Sequence, residues 1–188
     1  MEKSIEILTS EAVQLLKEMI AIPSSSFHEE EVCSHISSWM TSRGIEHERI
    51  GNNIIAEHMT DPHAPTLMLC AHIDTVDPCE GYTFDPYKPE NSPEGVIQGL
   101  GSNDDGASVV SMIAAYRHLA THTATNLTLV LTCEEERSGK GGMTGLWGKR
   151  LNRIDYAIVG EPTEMKAATA ERGLLVIDAT AHGASGHA

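Results

Sequence analysis

Positive charge is scarce in this chain: 13 lysines and arginines stand against 27 aspartates and glutamates, a net −14 over 188 residues. The phosphates of nucleic acid and of anionic membranes repel such a chain, which argues against both as partners. Long apolar runs are missing too. No stretch approaches the ~18 residues a membrane helix needs. The opening "MEKSIEILTSEAV" alternates charge with apolar residues and has no signal-peptide core, so the expected location is the cytoplasm. Cysteine occurs four times (Cys33, Cys70, Cys79, Cys133) but never as Cys-x-x-Cys. A thiolate zinc knuckle or disulfide framework is therefore not expected. Cys70 and Cys133, in or beside apolar runs, read as buried thiols.

What is present suits one globular domain with a sizeable core: 40% hydrophobic and 21% charged residues. Thr9 or Ser10 is placed to cap a helix over "EAVQLLKEMI", which Ile22-Pro23 closes. "HEEEVCSHISSWMTSRG" has acids in its first turn, helical apolar spacing and Gly44 at its end. Short strands around "IEHERI" and "NIIAEHM" flank a Gly51-Asn52 turn. "TLMLCAHI", "NLTLVLTC" and "IDYAIVG" read as three buried strands, and "LLVIDATAHG" as a half-exposed one. "DDGASVVSMIAAYRHLATH" is a helix, "GMTGLWGKRL" a short one, and Pro78 to Gly101 a long surface excursion. Trp39 and Trp147 fall on apolar helical positions and read as core. Strands interleaved with helices predict an α/β sandwich, whose sites gather beyond the strand ends.

The buried runs end in chemistry. "LMLCAH" ends at His72 and Asp74, "LTLVLTC" at Glu134, Glu135 and Glu136, and "DYAIVG" at Glu161. Asp104 and Asp105 open a helix, where the dipole favours an ionised carboxylate. Taken singly, each has a dull reading as a cap, a turn or a solvated edge. Together, acids from several elements would repel one another, and cations offset such repulsion. One imidazole with several carboxylates suits Zn²⁺, Co²⁺ or Mn²⁺. Strict strand alternation, however, pairs Glu134 with Glu136 and turns Glu135 away.

The ordered segments "AHIDTV", "GLGSNDDGAS", "TCEEERSG", "VGEPT" and "GASGHA" resemble the M20 family of zinc metallopeptidases and amidohydrolases. Within it, the branch they most resemble is that of acetylornithine deacetylase and succinyl-diaminopimelate desuccinylase. The resemblance implies a zinc-exopeptidase-like catalytic domain: a mixed, mostly parallel sheet sandwiched by helices, over residues 1–171. Residues 172–188 would begin a lid or dimerisation domain. His72, Asp104, Glu136 and Glu161 match metal ligands, with Asp104 bridging two Zn²⁺ ions. Asp74 matches the carboxylate that orients His72, and Glu135 the general base. His187 matches a lid histidine that reaches a partner's active site in dimeric members.

By the same resemblance the substrate is an N-acyl amino acid, N-acetyl-L-ornithine first, as in arginine biosynthesis. Behind it stand N-succinyl-ornithine, succinyl-diaminopimelate and small dipeptides, the last as for a dipeptidase or carboxypeptidase of the family. A non-catalytic metal-binding or dimerising module is the competing class. Two departures from the branch pattern stand out. Leu100, Asp105 and Gly106 occupy positions where the branch commonly carries basic or bulky residues. The chain is also expected to be an N-terminal piece, without the returning segment that carries the last metal histidine. Alone it would then bind one metal and hydrolyse little or nothing.

Overall fold

The computed structural model describes residues 4–170, 172, 173, 175, 177 and 179–183. Helix α1 spans Ile5–Ile20 and buries Leu8, Leu15, Leu16, Met19 and Ile20 along one stripe. It starts a turn earlier than Thr9 or Ser10 would place it. Ser4 is the cap, its hydroxyl accepting the Ile7 amide at 3.4 Å. Thr9 is accommodated inside the helix because its hydroxyl donates to the Ile5 carbonyl. Helix α2 (Glu30–Ser42) buries Val32, Cys33, Ile36, Trp39 and Met40, and Gly44 follows it at φ +72°.

Strands β1 (Glu48–Ile50) and β2 (Asn53–His58) form the expected antiparallel hairpin. β3 spans Thr66–His72, helix α3 Gly106–Leu119, β4 Asn126–Thr132, the short α4 Met143–Leu146 and β5 Tyr156–Val159. The sheet order is β1-β2-β4-β3-β5, with β2 antiparallel to β4 and with β4 and β5 both parallel to β3.

Alternation along the strands builds two apolar layers. Ile54, Leu69, Ala71, Leu127, Leu129 and Leu131 face the core formed with α1, α2 and α3. Ile55, Met68, Cys70 and Val130 face a smaller cluster with Leu146 and Leu151. β4 is buried at every position, as a strand flanked on both sides and covered on both faces must be.

Three expectations are corrected. β5 is exposed along its whole length: it lies at the sheet edge, paired with β3 alone among the described residues. Trp147 is 56% exposed because it sits just past the end of α4 rather than on its inner face. No strand forms at residues 175, 177 and 179–183, and those residues are exposed. The remaining positions of that predicted strand, and His187, lie outside the described residues.

Candidate metal centre

β3, β4 and β5 run parallel, so their carboxyl ends arrive at one edge of the sheet, where α3 also begins. Each strand hands over a polar group there. His72 is the last residue of β3 and is 3% exposed. Its Nδ1 faces the Asp74 carbonyl at 3.0 Å and the Asp74 carboxylate at 3.5 Å. An N–H on Nδ1 donating to Asp74 leaves the Nε2 lone pair outward. Nε2 lies 3.1 Å from Asp104 Oδ1 and 3.9 Å from Glu135 Oε2.

Asp74 is fully buried, yet its carboxylate is well supplied with donors. Ser26 Oγ donates at 2.7 Å, and the amides of Glu135 and Glu136 at 3.0 and 3.2 Å. Burial opposes its ionisation, but His72, Ser26 and those two amides outweigh it and hold the carboxyl below the usual range. For His72, burial favours the neutral ring. The Asp74 hydrogen bond and the charges of Asp105, Asp74 and Glu135 overcome it and push the imidazole up to about 10.

The alternation problem at Glu135 is resolved by the backbone. Glu134 adopts a left-handed conformation (φ +58°), and a 3₁₀ turn over Glu135–Arg137 follows. The chain has therefore left strand geometry, and both Glu135 and Glu136 face the His72 side of the sheet edge. Glu134 points the other way: its carboxylate accepts the Gly141 amide at 2.8 Å. A β-carbon on Gly139 or Gly141 would collide with that side chain, and one on Gly142 with the Cys133 carbonyl, which explains the glycines of "SGKGG".

Among the described residues, His72, Asp104 and Glu136 each offer a ligand atom, and these all lie within 4.8 Å of one another. Glu161, just past β5, is exposed and outside this tight group. It is still within the field of the group. Burial first, then Glu135, Asp104 and Glu136, raise its carboxyl, with His72 opposing. Glu136 is raised likewise, by burial and then by Asp104. Neighbouring carboxylates that hold Glu136 and Glu161 above their ordinary range, around an outward imidazole nitrogen, form a donor set that a divalent cation would relieve. The residues present therefore fit a metal ion.

Asp105 departs from the helix-dipole expectation. It is 1% exposed, its Oδ2 accepts the His72 amide at 3.1 Å, and burial pushes its carboxyl up to about 6. The polar groups behind the centre were not singled out from sequence. Ser26, Glu29 and Asn53 are buried: Ser26 donates to the Asp74 carboxylate, while Glu29 and Asn53 accept the backbone amides of Glu134 and Cys133. Ser26 and Glu29 sit in "SSSFHEE", where Glu29 looks like one more acid at a helix start.

A profile of peptidase family M20/M25/M40 matches residues 68–174, which carry all five of His72, Asp104, Glu135, Glu136 and Glu161. A probable carboxypeptidase of Arthroderma gypseum is 30% identical over 96% of this chain and 43% of its own length. The acetylornithine deacetylase of Proteus mirabilis is 28% identical over 93% of the chain and 48% of its own. The chain thus spans less than half the length of these relatives. Among solved structures, the Bacillus subtilis YXEP protein, described as a dinuclear metal binding peptidase from the M20 family, superposes with a TM-score of 0.59. It is 16% identical, over 82% of this chain and 43% of its own, a likeness of fold. With the profile covering more than half of the chain and every strand end that builds the centre, the chain belongs to peptidase family M20/M25/M40.

Proposed function

We propose that the whole protein hydrolyses the amide bond of a small N-acyl amino acid with the help of divalent cations, Zn²⁺ first and Co²⁺ or Mn²⁺ as substitutes. The observation that carries this is the convergence of His72 Nε2 with the carboxylates of Asp104 and Glu136, three groups far apart in sequence. His72, Asp104, Glu136 and Glu161 would hold the metal. When bound, such ions supply Lewis acidity, polarising the amide carbonyl and making water a better acid.

The protein's own residues do the rest. Asp74 fixes the tautomer and orientation of His72, so that Nε2 stays available. Glu135 takes a proton from the attacking water and returns it to the departing amine nitrogen. It is half-exposed and 3.9 Å from the imidazole, close enough to serve a water in the same space. His187 from the second subunit of a homodimer would hydrogen-bond the developing oxyanion. A carboxylate such as Glu135 beside the ligand cluster but not part of it favours an enzyme over a structural site, which is closed by its ligands.

N-Acetyl-L-ornithine is the first substrate, supported by the acetylornithine deacetylase relative. The 30% identity to a probable carboxypeptidase favours a second reading, removal of a C-terminal residue from short peptides. Release of free amine from N-acetylornithine, N-succinyl-ornithine and an N-blocked dipeptide, with Zn²⁺ or Co²⁺, decides between them. Glu135→Gln in the whole protein is expected to lower kcat by about 10²–10⁴ while Zn²⁺ stays bound, the usual scale for loss of a general base. Turnover surviving that substitution would remove Glu135 from its role.

A further inference from the structure

Four consecutive backbone amides, Cys133 to Glu136, are each received by a buried side chain from elsewhere in the chain. Asn53 Oδ1 accepts Cys133 at 3.1 Å, Glu29 Oε1 accepts Glu134 at 3.0 Å, and the two Asp74 oxygens accept Glu135 and Glu136. Glu29 is 1% exposed and lies outside the metal cluster. We infer that Glu29 is a positioning residue, whose carboxylate holds the Glu134–Glu136 turn in the one conformation that presents Glu135 and Glu136 to His72 and Asp104.

One oxygen of Glu29 does most of this. Oε1 accepts the amide of Phe27 at 2.7 Å as well as that of Glu134, while Oε2 accepts Asn52 Nδ2 at 3.2 Å. Phe27 and Glu134 are both left-handed, at φ +72° and +58°. Bulky and charged residues persist there only where their surroundings over-determine the backbone. A single buried acceptor joining both amides is such a constraint. The obvious alternative, that Glu29 caps its own helix, does not describe it: its side chain makes no cap hydrogen bond at the α2 N-terminus. With that acceptor withdrawn, the Glu134 amide loses its partner and the turn can relax towards strand alternation, which swings Glu135 away from the centre.

The inference rests on reading Glu135 and Glu136 as base and ligand, and the test separates the two. Glu29→Asp keeps the charge but retracts the carboxylate by about 1.5 Å, one carbon–carbon bond. Glu29→Gln loses the charge but keeps the acceptor in place. In the metal-free whole protein, amide hydrogen exchange is read at Glu134–Glu136 and, as an internal control, at Leu129–Leu131. Exchange at the turn is expected to speed up about tenfold in Glu29→Asp and less than about threefold in Glu29→Gln, with the control unchanged. Zn²⁺ affinity should fall about tenfold in Glu29→Asp, in step with the loosened turn.

Unchanged exchange in Glu29→Asp, equal acceleration at Leu129–Leu131, or a Gln variant looser than the Asp variant would each overturn the inference. So would a loosened turn with undiminished Zn²⁺ affinity. Failure of the unmodified protein to bind Zn²⁺ would instead overturn the reading of the centre, while the exchange data would still decide what Glu29 holds.

Discussion

His72 shows how much one residue inherits from its neighbours. Its sequence position at the end of an apolar run was enough to mark it, but not to say what state the ring is in. In the fold it is buried against Asp74 and faces Asp104 and Glu135. Burial favours the neutral ring, but the Asp74 hydrogen bond and the charges of Asp105, Asp74 and Glu135 push it up to about 10 in the absence of a cation. The sign of its linkage follows. A raised imidazole stabilises the metal-free fold fully below its ordinary 6.5, and that contribution is lost as pH rises through about 10. An imidazole that ligates a metal must be neutral, so, on the proposed role of His72, cation uptake at neutral pH expels this proton. Zn²⁺ affinity is therefore expected to rise with pH about tenfold per unit around neutrality, with about one proton released per ion bound. Calorimetric titration in two buffers of different protonation enthalpy reads that proton directly. A pH-independent affinity would show that His72 is not a ligand.

Elements follow their local patterns wherever local and tertiary demands agree. β4 is legible in sequence because it needs to be apolar on both faces, and "NLTLVL" is continuous enough to say so. Leu129, at its middle, is fully buried in the main core. Leu129→Ala is expected to cost about 2–5 kcal/mol, as deletion of a core leucine does, read as a lowered urea midpoint with an unchanged slope. β5 has a similar apolar run but the opposite fate, since its pattern carries no information on where in the sheet it sits. α1 illustrates a smaller limit: three hydroxyls precede or enter it, and the cap is Ser4 because the apolar stripe begins at Leu8.

At the scale of the molecule, one edge of the sheet collects the chemistry and another stays uncovered. Tyr156, Ile158 and Val159 of β5 are 50% or more exposed, and its outer edge has no strand partner among the described residues. An apolar strand with a free row of amides and carbonyls is a template for pairing. These 188 residues alone are expected to associate increasingly with concentration in sedimentation velocity, and Ile158→Lys to suppress that association. A monomer at every concentration would show that the edge is protected. No helix among the described residues is long and apolar enough to cross a membrane, in keeping with the missing apolar runs.

Sequence alone determined the alternation of strands and helices, the residues that end each apolar run, and the family to which their order points. Those are properties of local pattern: side-chain periodicity, turn residues and the spacing of motifs along the chain. The tertiary structure decided which of those endings meet, because convergence depends on strand order and parallel direction rather than on any one segment. It decided that a left-handed Glu134 sends Glu135 and Glu136 to the same side, against strand alternation. It also brought Glu29 from a helix start to the amide of Glu134, 105 positions away. No local pattern encodes that contact, since it arises only when the fold brings the residue before α2 to the turn after β4 and the amide there needs an acceptor.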